Sequence, residues 1–238
     1  MLTRRMFVVE QVQASLLLAG GSVFSSSKAI GAMLGTYSDR LSGQLLSMPL
    51  SNDEHPELPR VILQSPESDW RVQFSQVRMD VVRSLSPNEH DVEFEQAVHD
   101  CRDMVTHYAR VTEAAVNRLA LVVTRSCPME KPAEWLISRF CNETSQREPL
   151  NHSATFELHN HKVYSPLGQK PLNSWVRCKS ATHTRSGSVV LVVQDLNTAS
   201  TDENEQLHGT DDVKSFFDLV RAEADSIFDK YFPDTIRS

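Results

Sequence analysis

Residues 86–123 read SPNEHDVEFEQAVHDCRDMVTHYARVTEAAVNRLALVV, and the change of period inside this stretch decides the fold. Ser86-Pro87-Asn88-Glu89 has the form of a capping box with proline at the first helical position, in which the serine hydroxyl and the glutamate satisfy backbone N–H groups that a first turn leaves open. Phe94, Val98, Cys101, Val105 and Tyr108 then recur three or four apart and make one apolar stripe. The pattern predicts a helix that starts at this box and ends near Val111 to Glu113. From Asn117 to Arg125 the period is lost. Leu119, Ala120, Leu121, Val122 and Val123 are apolar on both faces, which suits a central strand.

Upstream, Val8, Val12, Ala14, Leu16 and Leu18 lie at even spacing and predict a strand from Phe7 to Leu18, closed by Gly20-Gly21. Ile30, Leu34, Tyr37, Leu41 and Leu45 predict a helix from Ser27 to Leu46, against which Gly31, Gly35 and Gly43 count. The polar, proline-rich segment from Met48 to Pro59 is a loop. Three short strands follow: Arg60 to Leu63, one carrying Trp70, Val72 and Phe74, and one carrying Val77, Met79 and Val81. The last two alternate in opposite phase, so a tight turn or bulge lies at Ser75-Gln76.

Downstream of the central strand, Lys131 to Cys141 is a short helix with Trp135, Leu136 and Phe140, and Asn142 to Ser153 is a polar linker. Strands are expected at Thr155 to Tyr164, Asn173 to Thr184 and Ser188 to Leu196, the last two joined at Ser186-Gly187. A closing helix begins at Thr210, with Asp211 and Asp212 complementing its dipole, and stops before Pro233. Val213, Phe216, Phe217, Val220, Ala224, Ile227 and Tyr231 form its buried face, and each large side chain so covered contributes about 1.5–3 kcal/mol. That face needs the preceding sheet as its partner. The opposite face, with Asp218, Asp225 and Asp229, is a candidate surface for a basic partner.

In order, the elements are strand, helix, three strands, helix, and then the same again. The fold class is therefore α+β. The expectation is two βαβββα halves of helix-grip type, residues 1–114 and 115–238, each a curved antiparallel sheet packed on a long helix. No residue-level repeat links them. Such folds carry transcription factors, ligand sensors and scaffolds, so the fold does not select a function.

Composition excludes some functions. The chain has 238 residues, a hydrophobic fraction of 40% and a formal net charge of −7. An acidic chain meets nucleic acid only through a local basic stripe, and Arg71, Arg78 and Arg83 are interleaved with Asp69 and Asp80. Cys101, Cys127, Cys141 and Cys178 form no CxxC pair and fit no zinc-ribbon spacing, so they read as reduced cysteines of a cytoplasmic protein. Thr3-Arg4-Arg5 has the look of a twin-arginine export signal. Glu10, Gln11 and Gln13 interrupt the apolar run, and no A-x-A site follows, so a first strand is expected there instead. No segment has the length of a membrane span. Asn142-Glu143-Thr144 and Asn151-His152-Ser153 match glycosylation sequons, without consequence in a cytoplasmic chain.

Three stretches carry a resemblance. Asp69-Trp70-Arg71-Val72-Gln73-Phe74-Ser75-Gln76-Val77-Arg78, the helix ending in Tyr108 with Asn117-Arg118-Leu119-Ala120-Leu121, and Val190 to Thr198 with the helix from Phe216 to Phe232 together resemble a sporadically distributed prokaryotic family of about this length. That family carries no established activity. Its distribution implies an accessory module of the phage-defence or toxin–antitoxin type.

Three constellations could carry chemistry. Glu157, His159 and His161 share one strand face, and His183 lies on the next strand, a set that could hold zinc or another divalent ion. Phe156 and Leu158 occupy the opposite face, and the histidine side then reads as the solvent side of a half-buried sheet. Arg102 and His107 match the arginine–x4–histidine spacing of HEPN ribonucleases, where such a pair stabilises charge and moves protons at the scissile phosphate. The other reading is two solvated residues flanking an amphipathic stripe. Gly20-Gly21 through Lys28 has the form of a phosphate loop but lacks a glycine before the lysine, and Ala29 stands where a hydroxyl is needed. No catalytic residue or cofactor site is assigned. The expectation is a non-enzymatic or regulatory protein that binds another protein, such as one encoded nearby, or its own copies. The alternatives are a metal-dependent or HEPN-like ribonuclease, and a small-molecule sensor with a pocket between sheet and helix.

Overall fold

Strand β1 (Val8–Leu18) and strand β6 (Val116–Pro128) pair antiparallel, with Val12 opposite Val123, Ala14 opposite Leu121 and Leu16 opposite Leu119. The computed structural model describes residues 2–19, 24–48, 55–142, 147, 152–166, 171–199 and 207–234. Gly20, Gly21, the sequon residues Glu143, Thr144 and Asn151, and most of the 142–153 linker lie outside them. The other strands are β2 (Leu45–Ser47), β3 (Val61–Gln64), β4 (Trp70–Phe74), β5 (Arg78–Ser84), β7 (Glu157–Tyr164), β8 (Leu172–His183) and β9 (Gly187–Thr198). They join one antiparallel sheet in the order β2-β3-β4-β5-β1-β6-β9-β8-β7. The helices are α1 (Ser26–Tyr37), α2 (Phe94–Thr112), α3 (Pro132–Phe140) and α4 (Thr210–Tyr231). The chain is thus α+β, and the strands of both expected halves join edge to edge through β1 and β6. No helix of the described residues is long and apolar enough to cross a membrane.

Strand alternation makes the sheet two-sided. Val12, Ala14, Leu16, Leu119, Leu121, Val123, Met79, Val81, Val72 and Phe74 are all buried on the side that carries the helices. The opposite side is mixed, with polar side chains beside apolar ones such as Val82, Val122 and Val193. There Asp80, almost fully buried, accepts from Ser15 Oγ at 2.5 Å, Arg78 Nε at 2.7 Å, Gln73 Nε2 at 2.9 Å and Gln13 Nε2 at 3.1 Å. Four donors offset the cost of desolvating one carboxylate.

One large core lies under α1, α2 and the first turns of α4, and holds Met33, Val98, Cys101, Met104, Val105, Phe217 and Val220. A second core lies under α3 and the end of α4, with Phe7, Leu136, Cys178, Val192, Phe228 and Phe232. The Thr3-Arg4-Arg5 start is docked onto this second core. Phe7 packs on Phe232 and Phe228 at ring distances of 4.5 and 5.2 Å, and Arg4 pairs with Asp225 at 2.8 Å. Arg125 lies where the cores meet, over the rings of Phe228 at 4.4 Å and Phe94 at 4.8 Å. It donates to Gln194 and approaches Asp225 at 3.6 Å. Burial lowers its guanidinium pKa to about 10.

Three sequence expectations change. Half of the Ser86–Glu89 box forms, and on a turn: the Ser86 N–H donates to the Glu89 carboxylate at 3.0 Å, while the Glu89 N–H donates to the Ser86 backbone carbonyl at 3.2 Å. Helix α2 starts instead at Phe94, capped by the Glu93 side chain, which accepts from the Gln96 N–H at 2.6 Å. The delay has a cause: Asp91 Oδ1 accepts from the Val9 N–H at 2.6 Å, and the Val92 N–H donates to the Val9 carbonyl at 3.1 Å. These bonds hold residues 91 and 92 against β1. The helix expected to reach Leu46 stops at Tyr37, and Leu45 instead pairs with Leu63 in β2. Gly43 permits this, since a Cβ there would lie 2.5 Å from the Ser65 carbonyl carbon. The β8–β9 loop is three residues, with His183 paired to Gly187, whose φ of 70° suits glycine.

Phe217 is fully buried between α4 and the sheet. Phe217→Ala should lower the unfolding free energy by about 3–5 kcal/mol. Val163→Ala, at a residue 59% exposed, should change it by less than about 0.5 kcal/mol. Urea denaturation of both variants checks the assignment.

Candidate functional site

Strand β7 is an edge strand, and its alternation turns Leu158, Asn160, Lys162 and Tyr164 to the helix side of the sheet. Helix α4 presents Glu223, Ile227, Lys230 and Tyr231 toward the same space, at a spacing that keeps them on one helical face. His159 of β7, Ser174 and Val176 of β8 and Phe140 at the end of α3 complete a pocket of about 700 Å³. Its walls are apolar at Leu158, Val176, Ile227 and Phe140.

Two hydrogen bonds tie strand to helix across the pocket. Tyr164 donates to Glu223 Oε2 at 2.7 Å, and Asn160 Nδ2 donates to the Tyr231 hydroxyl at 2.6 Å. Burial raises the pKa of the Tyr164 phenol, and its hydrogen bond to Glu223 raises it further, so this hydroxyl stays protonated. Burial also raises the pKa of Tyr231. Since the Tyr231 oxygen accepts from Asn160, its own proton is left to donate. The opposite flank of the sheet differs: Met33, Leu41, Leu63, Phe74 and Tyr108 are buried together there, with the Phe74 and Tyr108 rings 5.2 Å apart.

The histidines expected as metal ligands do not converge. Glu157, His159 and His161 do share the outer face of β7. There His159 Nε2 lies 2.9 Å from Glu157, while His161 stacks on Trp175 at 3.9 Å. His183 lies at the far end of β8, next to Glu10 at 3.7 Å. The register pairs His159 with Arg177, six residues along β8, or roughly 20 Å, from His183. No group of three His, Cys, Asp or Glu among the described residues could hold a metal ion.

Arg102 and His107 part in the same way. Arg102 pairs with Asp218 of α4 at 2.6 Å and with Asp103 at 2.9 Å. His107 Nε2 lies 3.0 Å from the Ala32 carbonyl and 3.2 Å from Thr36 Oγ1, on α1. Both side chains join helices to one another, and the nine-stranded sheet is not the all-helical frame of HEPN ribonucleases. The acidic face of α4 is also largely answered within the chain, since Asp218 pairs with Arg102 and Asp225 with Arg4. Cys101, Cys127 and Cys178 are buried, and burial pushes the thiols of Cys101 and Cys178 up to about 12, so neither is a nucleophile at neutral pH.

Of the residues lining the pocket, the sequence singles out only His159, and as a metal ligand. One signal was present: Asn160 and Lys162 interrupt the face of β7 that should be uniformly apolar if a helix covered it closely.

No family model matches the chain, and no curated protein matches it. Among solved structures it is similar to the di-domain ARO/CYC StfQ from the steffimycin biosynthetic pathway, at 10% identity and a TM-score of 0.22, over 93% of this chain and 96% of that one.

Because His159 and His161 lie on the outer face, replacing both with alanine should leave the urea midpoint almost unchanged, within about 0.5 kcal/mol. Elemental analysis of the purified protein should give the same metal content before and after. Loss of a stoichiometric metal in the double variant would restore the histidines as a site.

Proposed function

We propose that the chain is a non-enzymatic binding protein built from two βαβββα units, and that its second unit holds a small molecule between β7–β8 and α4. The observation that carries this reading is the pocket itself. At about 700 Å³ it falls within the range of roughly 300–1,000 Å³ typical of small-molecule sites. It combines apolar walls with a few convergent polar groups. The duplication reading is supported by the strand order: outward from the central pair it runs β5-β4-β3 on one side and β9-β8-β7 on the other, with the short β2 added at the edge of the first. Each unit ends in a long helix, α2 or α4, on the same side of the sheet. In the first unit the space under the helix is filled with side chains. In the second, α4 covers the inner strands closely but leaves an open space beside it over β7 and β8, which is the difference expected when one copy supports the fold and the other binds.

A binding role fits the chemistry of the site better than catalysis. The pocket carries no nucleophile paired with a base. Its one carboxylate, Glu223, is engaged by a tyrosine hydroxyl. Occupancy would brace α4 against β7, the edge strand, and so alter the surface offered to a partner protein. That links ligand binding to the protein-binding role expected from the sequence, in an accessory module of the kind the family resemblance implies.

The test is binding of the uncharged dye Nile red, followed by fluorescence. The wild-type chain should bind saturably. Asn160→Trp, which places a large ring in the pocket from an edge strand, should abolish binding while circular dichroism still reports a folded chain, with the urea midpoint lowered by no more than the loss of one hydrogen bond, about 0.5–1.5 kcal/mol. Absence of dye binding by the wild type, or equal binding by the folded variant, would contradict the proposal.

A further inference from the structure

We infer that the occupant of this pocket is an amphipathic anion, an acyl or aryl chain ending in a carboxylate, held by Lys162 and Lys230 at the mouth and by the apolar walls within. The inference rests on the pocket reading above and specifies its ligand.

The charge balance points this way. Lys162 and Lys230 both line the pocket, and neither has a hydrogen bond or ion pair to any described residue. Elsewhere on the helix side of the sheet, arginines are answered: Arg83 pairs with Asp69 at 3.1 Å, Arg102 with Asp218, and Arg4 with Asp225. Lys214 of α4 likewise has no partner among the described residues but stands exposed and outside the pocket lining, whereas Lys162 and Lys230 line one pocket from opposite walls, one from β7 and one from α4. The acidic group facing them, Glu223, already accepts from Tyr164. With two lysines against one glutamate, the pocket lining carries an excess of one positive charge. This is the reverse of the chain as a whole, whose net charge is −7.

A third donor faces the same space. Tyr231 accepts from Asn160, and its proton remains available to a ligand oxygen. Two ammonium groups and the remaining phenol O–H are donors toward this space, while the Tyr231 oxygen and Glu223 are already engaged, a balance suited to a carboxylate and unsuited to a cation. Leu158, Val176 and Ile227 offer no partner to a polar tail, so the remainder of the ligand is apolar.

The experiment compares three chain-matched probes, decanoate, decanol and decyltrimethylammonium, in displacing Nile red from the wild type at low ionic strength. Decanoate should bind best and decyltrimethylammonium worst. Lys162→Gln and Lys230→Gln should each weaken decanoate about two- to fivefold and leave decanol unchanged, as expected for exposed ion pairs. Added salt should erase most of the difference between decanoate and decanol. If decanol binds as tightly as decanoate, or if the lysine variants do not separate the two, the anion inference fails and the pocket reading stands. If none of the three probes displaces the dye, both fail together.

Discussion

The ladder between β1 and β6 constrains everything else in the molecule. Val12, Ala14 and Leu16 face Val123, Leu121 and Leu119, and all six are buried on one side. Side chains alternate with a period of two, so a slip of one residue would turn either strand's apolar set toward solvent. The register therefore makes the apolar sides of the strands on either side of this pair coincide. One sheet results, with every helix on the same side and a polar network around Asp80 on the other.

From that constraint follows the arrangement of α2 and α4. Both long helices must cover the same side, so they lie against each other, linked by the Arg102–Asp218 and Arg221–Glu95 pairs. Arg125 fills the point where the two cores meet, its charge answered by Asp225 and its plane covered by Phe94 and Phe228. Away from this centre the two flanks diverge. On the β3–β4 flank, Met33 and Leu41 join Phe74 and Tyr108 in the core. On the β7–β8 flank, Asn160, Lys162 and Ser174 stand where larger apolar side chains would close the gap, and α4 spans it through two hydrogen bonds. The pocket is the consequence of polar residues on an edge strand under a helix that is anchored elsewhere.

Much of this architecture could be read from periodicity. The alternation of β1, the apolar run of β6 and the helical stripes of α2 and α4 are local signals, and each element formed where its pattern lay. What could not be read depends on long-range pairing. The start of α2 is set by Asp91 and Val92 bonding to Val9, a residue of a strand far upstream. The end of α1 is set by Leu45 pairing with Leu63. The pocket has the same character: Tyr164 and Glu223 are separated by 59 residues, and neither is unusual in its own segment. The histidines drew notice because they cluster in sequence. The side chains of His159 and His161 share a strand face that the sheet turns away from its helices, and of the two only His159 also lines the pocket.

The central claim is that the open space between β7–β8 and α4 is the working part of the molecule. Amide hydrogen exchange with and without decanoate tests it most directly. The account predicts slower exchange in residues 157–164 and 223–231 on ligand addition, with α2 and strands β3 and β4 unchanged. Protection confined to the outer face around Trp175, or to the α1–α2 flank, would contradict it.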